Sequence, residues 1–195
     1  MSAADGCLPC SRLTGDKKLK YLRRGIWYIA SRLFLICLVM GIAITVFYYA
    51  MNMSNIQIIL KEGMARRAKV IMGIEQDDEV LNRYFQTGCL EADEELAAAQ
   101  RGNSVYSDYN VRGIDHRLSM GFFWTWPWDT GARLTISERI PRIDGRVKGT
   151  RADEVIAKNG AGAVYPPAWQ EMQYRVILIR ENGQWKIRTL TKIGE

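Results

Sequence analysis

The sequence is poor in the residues that build catalytic and metal centres. Histidine occurs once in 195 residues, as His116, and cysteine occurs four times. A structural zinc site needs four ligands, usually Cys or His, so a single histidine supplies too few. Motifs for a phosphate-binding loop, a nucleophile elbow or a dinucleotide site are also missing. We therefore predict a protein without a metal or cofactor site, and we favour a non-enzymatic role.

The cysteines exclude a domain that is held together by disulfides. Cys37 lies in a long apolar run, and Cys89 is the only cysteine after that run. The residues beyond the run therefore cannot form a disulfide among themselves and must be held by a hydrophobic core. Cys7 and Cys10 form a C-x-x-C motif in a short polar tail, where acylation or no role at all fits better than metal or redox chemistry.

One long hydrophobic run dominates the N-terminal quarter of the chain. Residues 33–50 are eighteen consecutive uncharged residues, and the run extends back to residue 25 with Arg32 as its one charge. About 20 helical residues span the hydrocarbon of a bilayer, and an Arg near the helix end can reach the headgroups. Aromatic rings, which favour membrane interfaces, lie near both ends: Trp27, Tyr28, Tyr48 and Tyr49. We predict a transmembrane helix over residues 25–50, because the apolar core of a cleaved signal peptide is shorter.

Basic residues are concentrated before this run. Residues 1–32 contain seven Lys or Arg and two Asp, which accounts for +5 of the net charge of +6. Positively charged flanks stay in the cytoplasm. Residues 1–24 are therefore predicted to form a mostly disordered cytoplasmic tail, and the C-terminal part to lie outside the cell membrane. The basic charge is a topology signal with the lipid bilayer as its partner, and we expect no nucleic-acid binding.

Residues 51–75 continue with helical periodicity and are predicted to form a stalk helix. Ile56, Leu60 and Met64 recur at four-residue steps, which is typical of one buried helix face. The basic residues of this segment are expected to face water or headgroups: Lys61, Arg66, Arg67 and Lys69.

Residues 76–195 combine helical and strand patterns. Asp77 and Asp78 favour a helix start, Thr87-Gly88 favours its end, and residues 91–100 favour a further helix. Alternating apolar residues then predict a strand over 109–120, a run at 122–126 with one aromatic face, and a strand over 132–136 followed by a turn at 143–146. One or two helical turns are expected within 151–158.

The C-terminal segment predicts a hairpin. Two apolar runs flank Asn182-Gly183, a dipeptide that favours a two-residue turn because both positions tolerate positive φ. With these residues as the turn, Arg180 should face Trp185 and Leu178 should face Ile187. One face is then expected to be core: Tyr174, Val176, Leu178, Trp185 and Ile187.

Helices followed by antiparallel strands predict an α+β domain. The order of residues 80–85, the strand region 109–126 and the closing hairpin resembles the nuclear-transport-factor-like, or cystatin-like, α+β roll. The resemblance implies N-terminal helices packed on a curved antiparallel sheet in a roll domain over residues 76–195. With its tail and span, the chain also resembles single-span envelope proteins, such as scaffold subunits of type IV secretion machines and sporulation-channel proteins. That likeness implies other membrane proteins, or a second copy, as partners.

The candidate pocket or interface residues are Tyr84, His116, Trp124, Trp126 and Trp128. His116 follows Asp115, but neighbours in a strand point to opposite faces, so the two are not expected to orient each other. Three tryptophans in five residues exceed the needs of one strand face. Core packing, a ligand pocket, a partner-binding patch and contact with the outer membrane interface are the alternatives.

Two functions follow from these patterns. The first is a non-catalytic, membrane-anchored assembly or interaction module of a bacterial envelope complex. The alternative is an extracytoplasmic ligand-binding or enzymatic domain, with a cavity between helices and sheet lined by Tyr84, His116, Trp124 and Trp126. An outward-facing Trp126 favours an interface, and an inward-facing one favours a pocket or core.

Overall fold

The structure is a computed structural model that describes residues 13–75 and 78–193, with side chains from Tyr21 onward except Asp78. The chain divides into two compact units, Met1–Tyr48 and Tyr49–Glu195, and each is described by itself. The second unit is called the C-terminal domain below. The predictions for residues 1–12, which include the Cys7 and Cys10 motif, and for a helix start at Asp77 lie outside the described residues.

The first element is a single helix, α1 (Leu13–Ile71). The segment predicted to be a disordered tail is therefore helical from Leu13 onward, which agrees with the high helix propensity of its Leu, Lys and Arg residues. Between Tyr21 and Ile71, α1 has an 18-residue window of mean hydropathy 2.4, none of it buried. By length and composition this helix can cross a membrane. It ends before Gly73, whose φ of 71° is a left-handed conformation that glycine adopts without strain.

Three short helical elements follow α1 in the C-terminal domain: a 3₁₀ helix Asp78–Arg83, α2 (Thr87–Glu91) and α3 (Glu94–Gln100). The prediction that Thr87-Gly88 ends a helix is wrong, because α2 begins there. Phe85 forms a bridge to Ile187 just before it, and this pairing separates the two helical turns. Asp93 caps α3 by accepting hydrogen bonds from the backbone N–H groups of Glu95 and Leu96, so α3 starts after residue 91.

Four antiparallel strands form one sheet in the order β1-β2-β3-β4. Their bounds are β1 Tyr109–Met120, β2 Gly131–Val147, β3 Met172–Glu181 and β4 Gln184–Ile193. Between β2 and β3 lie α4 (Ala152–Asn159) and two 3₁₀ turns, Gly149–Arg151 and Ala161–Val164. The predicted α+β class and the helical turns within 151–158 are confirmed.

The second strand is longer than the sequence pattern predicts. The expected turn at 143–146 is wrong, because β2 continues to Val147 and Gly145 pairs with Val111 of β1. Gly145 is needed for close approach rather than for a turn, since a Cβ there would lie 2.9 Å from the Asn110 carbonyl oxygen. Pro141 is tolerated inside β2 because the register shifts opposite His116 and leaves an extra residue in β2.

The closing hairpin is confirmed. Asn182 and Gly183 have φ values of 50° and 82°, and Arg180 pairs with Trp185 as predicted. Leu178 pairs with Ile187, and the predicted face of the hairpin is buried. The two-residue turn determines this register because it leaves one pairing of the flanking residues.

The core of the C-terminal domain combines α1 with all four strands. Ile56, Leu60, Met64 and Ala68 are fully buried, so the segment predicted to be a stalk supplies core side chains. Gly63 lies on the same part of α1, and a Cβ there would meet Cβ of Tyr84 at 3.0 Å. The glycine thus permits a close contact with Tyr84, the residue that follows the 3₁₀ helix.

Candidate functional site

A charged cluster lies inside the C-terminal domain, centred on Arg67. Its guanidinium donates to Asp93 from Nε (2.5 Å) and Nη2 (3.0 Å), and Nη2 also donates to Glu95 (2.9 Å). The Arg67 side chain is 2% exposed. The prediction that Arg67 faces water or headgroups is therefore wrong. It lies one residue from the fully buried Ala68, and its charge is compensated by carboxylates instead of water.

The cluster shifts the pKa values of its carboxylates. Burial alone would raise the pKa of Asp93, but hydrogen bonds and charge from Arg67 outweigh it and hold this pKa below its ordinary value. Burial would also raise the pKa of Glu95, but Lys192 and Arg67 hold this pKa below its ordinary value. Both groups therefore favour the ionised form in the folded domain.

Acid should weaken the domain through these two carboxylates. Each is harder to protonate when folded, so their contribution to stability is complete above about pH 5 and is lost as the pH falls through the lowered pKa values. We expect the urea midpoint of the C-terminal domain, followed by near-UV circular dichroism of the full-length protein in nanodiscs, to fall between pH 5 and pH 3. Asp93→Asn should reduce this pH dependence. Equal midpoints at pH 5 and pH 3 would contradict the assignment.

The single histidine is paired with a residue that the sequence analysis did not select. Nε2 of His116 lies 2.9 Å from Oε1 of Glu138, with the His116 side chain 8% exposed and that of Glu138 0% exposed. Asp115 bonds to Arg117 instead, in agreement with the expectation that Asp115 and His116 do not orient each other. The pair joins β1 to β2 beside the irregularity at Pro141.

Two buried polar atoms in this interior have no hydrogen-bond partner within the part of the chain that the structure describes: Nη1 of Arg67 and Oε2 of Glu138. Burial lowers the pKa of Arg67, but the hydrogen bond and charge of Asp93, with smaller contributions from Tyr174 and Glu138, raise it above its ordinary value. Tyr174 is 2% exposed, and its ring centroid lies 5.9 Å from the Arg67 guanidinium carbon. Burial raises the pKa of Tyr174 above its ordinary value. Arg67, Glu138 and Tyr174 therefore interact with one another in the interior. Such interactions stabilise the packing of α1 on β2 and β3.

Tyr84 belongs to a different contact. It is 2% exposed, and its hydroxyl donates to Glu62 at 2.8 Å. Its carbonyl accepts from the Ile187 N–H at 2.7 Å. Among the described contacts, none joins Tyr84 to His116 or to the three tryptophans. The candidate residues are therefore distributed over separate places in the domain.

The tryptophan-rich segment is exposed. Residues 121–126 form no strand, so the predicted strand is wrong, but the predicted alternation onto one aromatic face is present. Phe123 and Thr125 point inward, with 6% and 1% exposure. The alternate side chains point outward: Phe122 (90% exposed), Trp124 (55%), Trp126 (40%) and Trp128 (67%). We call these four residues the aromatic platform.

Ring contacts and hydrogen bonds order the aromatic platform. The rings of Trp126 and Trp128 stack with centroids 5.0 Å apart, and Trp124 packs on Trp126 edge to face at 5.3 Å. The Trp126 carbonyl accepts from Asn52 Nδ2 at 3.3 Å, and the buried Trp185 donates to Asn52 Oδ1 at 2.8 Å. Asn52 thus connects this segment to α1 and β4.

A separate cleft of about 490 Å³ opens between α3 and the start of β3. Tyr106 and Trp169 stack on its wall, with ring centroids 6.0 Å apart. Lys192 and Glu95 form an ion pair at its edge, at 2.7 Å. Its lining does not include Tyr84, His116 or the aromatic platform.

No group of three or more metal-ligating side chains occurs among the residues that the structure describes. Cys89 is buried and unpaired, and burial raises the pKa of its thiol to about 11, so this thiol is protonated at neutral pH.

The residues that sequence reasoning missed, Arg67 and Glu138, did carry a signal. Glu138 continues the two-residue alternation of Ala132, Leu134 and Ile136, and Arg67 follows Leu60 and Met64 at helical spacing. A charged residue in phase with a buried stripe is a candidate for a buried pair. Comparison of the chain with protein-family models, curated proteins and solved structures found no match.

Proposed function

We propose that this chain is a non-catalytic, membrane-anchored assembly or interaction module whose C-terminal domain lies outside the cell membrane. One observation carries the proposal: the same helix supplies both the apolar run and the core of the domain. The hydrophobic window of α1 is unburied, whereas Ile56, Leu60 and Met64 of the same helix are fully buried in the C-terminal domain. The C-terminal domain therefore shares one continuous helix with the proposed membrane anchor.

The proposal also includes the orientation of the chain in the membrane, the type of roll fold and the cellular setting. The basic flank supports a cytoplasmic N-terminus through the positive-inside rule. The antiparallel sheet and its core shared with α1 support a nuclear-transport-factor-like roll, with helices packed on a curved sheet. Together these features support a place in a bacterial envelope complex.

The open face of the sheet is the surface we assign to a protein partner. Arg133 and Thr135 on β2, and Arg175 on β3, are exposed and alternate with buried residues. Thr135 pairs with Arg175 in the ladder, so the two arginines lie diagonally on one face. Arg139 extends this basic face, with a side chain 65% exposed. A partner with an acidic surface fits it.

Photocrosslinking in intact cells tests this assignment. A photoreactive residue in place of Thr135 is expected to give a discrete adduct with another envelope protein or a second copy. The same residue in place of the exposed Lys158 of α4 serves as the matched control and should give little adduct. Reversal of charge at Arg133 and Arg175 to Glu should abolish the Thr135 adduct, while substitution by Lys should retain it. The proposal would be contradicted if a photoreactive residue at each exposed position of the sheet gave only monomer, in membranes that contain the protein.

A further inference from the structure

We propose that the aromatic platform is a lipid-binding surface that lies in the outer headgroup region of the bilayer. This inference rests on the membrane anchoring proposed above. It adds a second, peripheral membrane contact, made by the C-terminal domain itself.

The position of the platform along the chain supports this partner. The Trp124 ring packs on that of Tyr49, with centroids 4.6 Å apart, and Asn52 bonds to the Trp126 carbonyl. Tyr49 and Ala50 lie at the end of the apolar run, and the polar residues Asn52, Ser54 and Asn55 follow it. Eighteen helical residues extend about 27 Å, close to the thickness of the hydrocarbon region. A ring held against Tyr49 is therefore held at the level where hydrocarbon gives way to headgroups.

The chemistry of the platform also fits a lipid interface. Residues 121–128 contain no charged residue, and the indole ring combines an apolar body with one N–H donor, which is why tryptophan concentrates at membrane interfaces. Phe122 is 90% exposed, so transfer of its ring from water into an apolar phase would be favourable. Arg180 donates to the Pro127 carbonyl at 3.0 Å, which places a cation beside the aromatic rings where lipid phosphates would lie.

The backbone geometry keeps the rings outward. Phe123 and Thr125 are buried, and the backbone N–H of Trp126 donates to the Asp129 carboxylate at 2.7 Å. These contacts hold the backbone so that the intervening side chains project away from the core. A mobile loop would lose conformational entropy on entering the interface, whereas an ordered platform has already lost most of it.

The test uses the full-length protein in nanodiscs, with its six tryptophans replaced by 5-fluorotryptophan. Each ¹⁹F signal is assigned by its loss in a single Trp→Phe variant. Broadening is measured with lipids that carry a nitroxide near the headgroup, and separately with a water-soluble gadolinium chelate. Trp124 and Trp128 are expected to be broadened strongly by the spin-labelled lipid and weakly by the chelate.

The other tryptophans are internal controls. Trp27 reports on the membrane anchor, Trp169 on a surface remote from the platform, and Trp185, 3% exposed, on the core. Trp27 should respond to the lipid label, Trp169 only to the chelate, and Trp185 to neither.

The outcomes separate this inference from the proposed anchoring. If Trp27 responds to the lipid label while Trp124 and Trp128 respond only to the chelate, the anchor stands and the lipid surface is refuted. Protection of Trp124 and Trp128 from both probes would also refute it, because protein would then cover the platform. If Trp27 fails to respond to the lipid label, the anchoring itself fails, and this inference with it.

Discussion

Replacement of Arg67 by alanine is expected to lower the free energy of unfolding of the C-terminal domain by about 3–5 kcal/mol. The guanidinium is 2% exposed and bonds to Asp93 and Glu95. Its removal leaves Asp93, 12% exposed, with a buried negative charge whose principal partner is gone. The remaining carboxylate cannot recover the solvation that it would have in water.

Arg66 provides the matched control for this prediction. It is the neighbouring residue, its side chain is 38% exposed, and its ion pair with Glu75 spans 3.3 Å. Arg66→Ala should change the free energy of unfolding by at most about 1 kcal/mol, since exposed ion pairs contribute little. The loss of unfolding free energy for Arg67→Lys should lie between these two values. An ammonium keeps the charge but cannot make the bidentate bond to Asp93.

Urea denaturation of the full-length protein in nanodiscs, followed by near-UV circular dichroism, measures these differences. Equal losses of unfolding free energy for Arg66→Ala and Arg67→Ala would show that burial of Arg67 does not determine its contribution to stability. If Arg67→Ala prevents folding, Arg67→Lys still yields a measurable midpoint.

Replacement of His116 by leucine is expected to cost about 3 kcal/mol, for a related reason. Glu138 is 0% exposed, and one of its two oxygens already has no partner among the described residues. Loss of His116 removes the partner of the other oxygen. The carboxylate then stays buried with neither oxygen hydrogen-bonded, which destabilises the folded domain.

The double substitution tests whether the cost comes from the unpaired carboxylate. His116→Leu with Glu138→Met removes both polar partners and keeps similar volumes, so most of the lost stability should return. The coupling between the two positions is obtained from the single and double variants in a double-mutant cycle. A double variant as unstable as the sum of the single variants would show that the two side chains act independently.

Much of the fold could be predicted because its patterns are local. The Asn182-Gly183 turn determines the pairing of Arg180 with Trp185, and the two-residue alternation of Tyr174, Val176 and Leu178 identifies the buried face. These features depend on residues close together in the chain. The length of β2 was predicted wrongly and the facing of the tryptophans was left open, because Gly145 packs closely on Asn110 and Trp126 is bonded by Asn52, and both partners are distant in sequence.

The sequence by itself determined the α+β class, the apolar run and the closing hairpin, since periodicity and turn chemistry require no distant partner. Only the tertiary structure decided that Arg67 is buried, that the single histidine pairs with Glu138, and that the aromatic platform faces outward beside Tyr49. The physical reason is that a charge or an indole ring is stable in several environments. Which environment it occupies depends on the partner that folding brings to it: a carboxylate for Arg67 and His116, and the Tyr49 ring of α1 for Trp124.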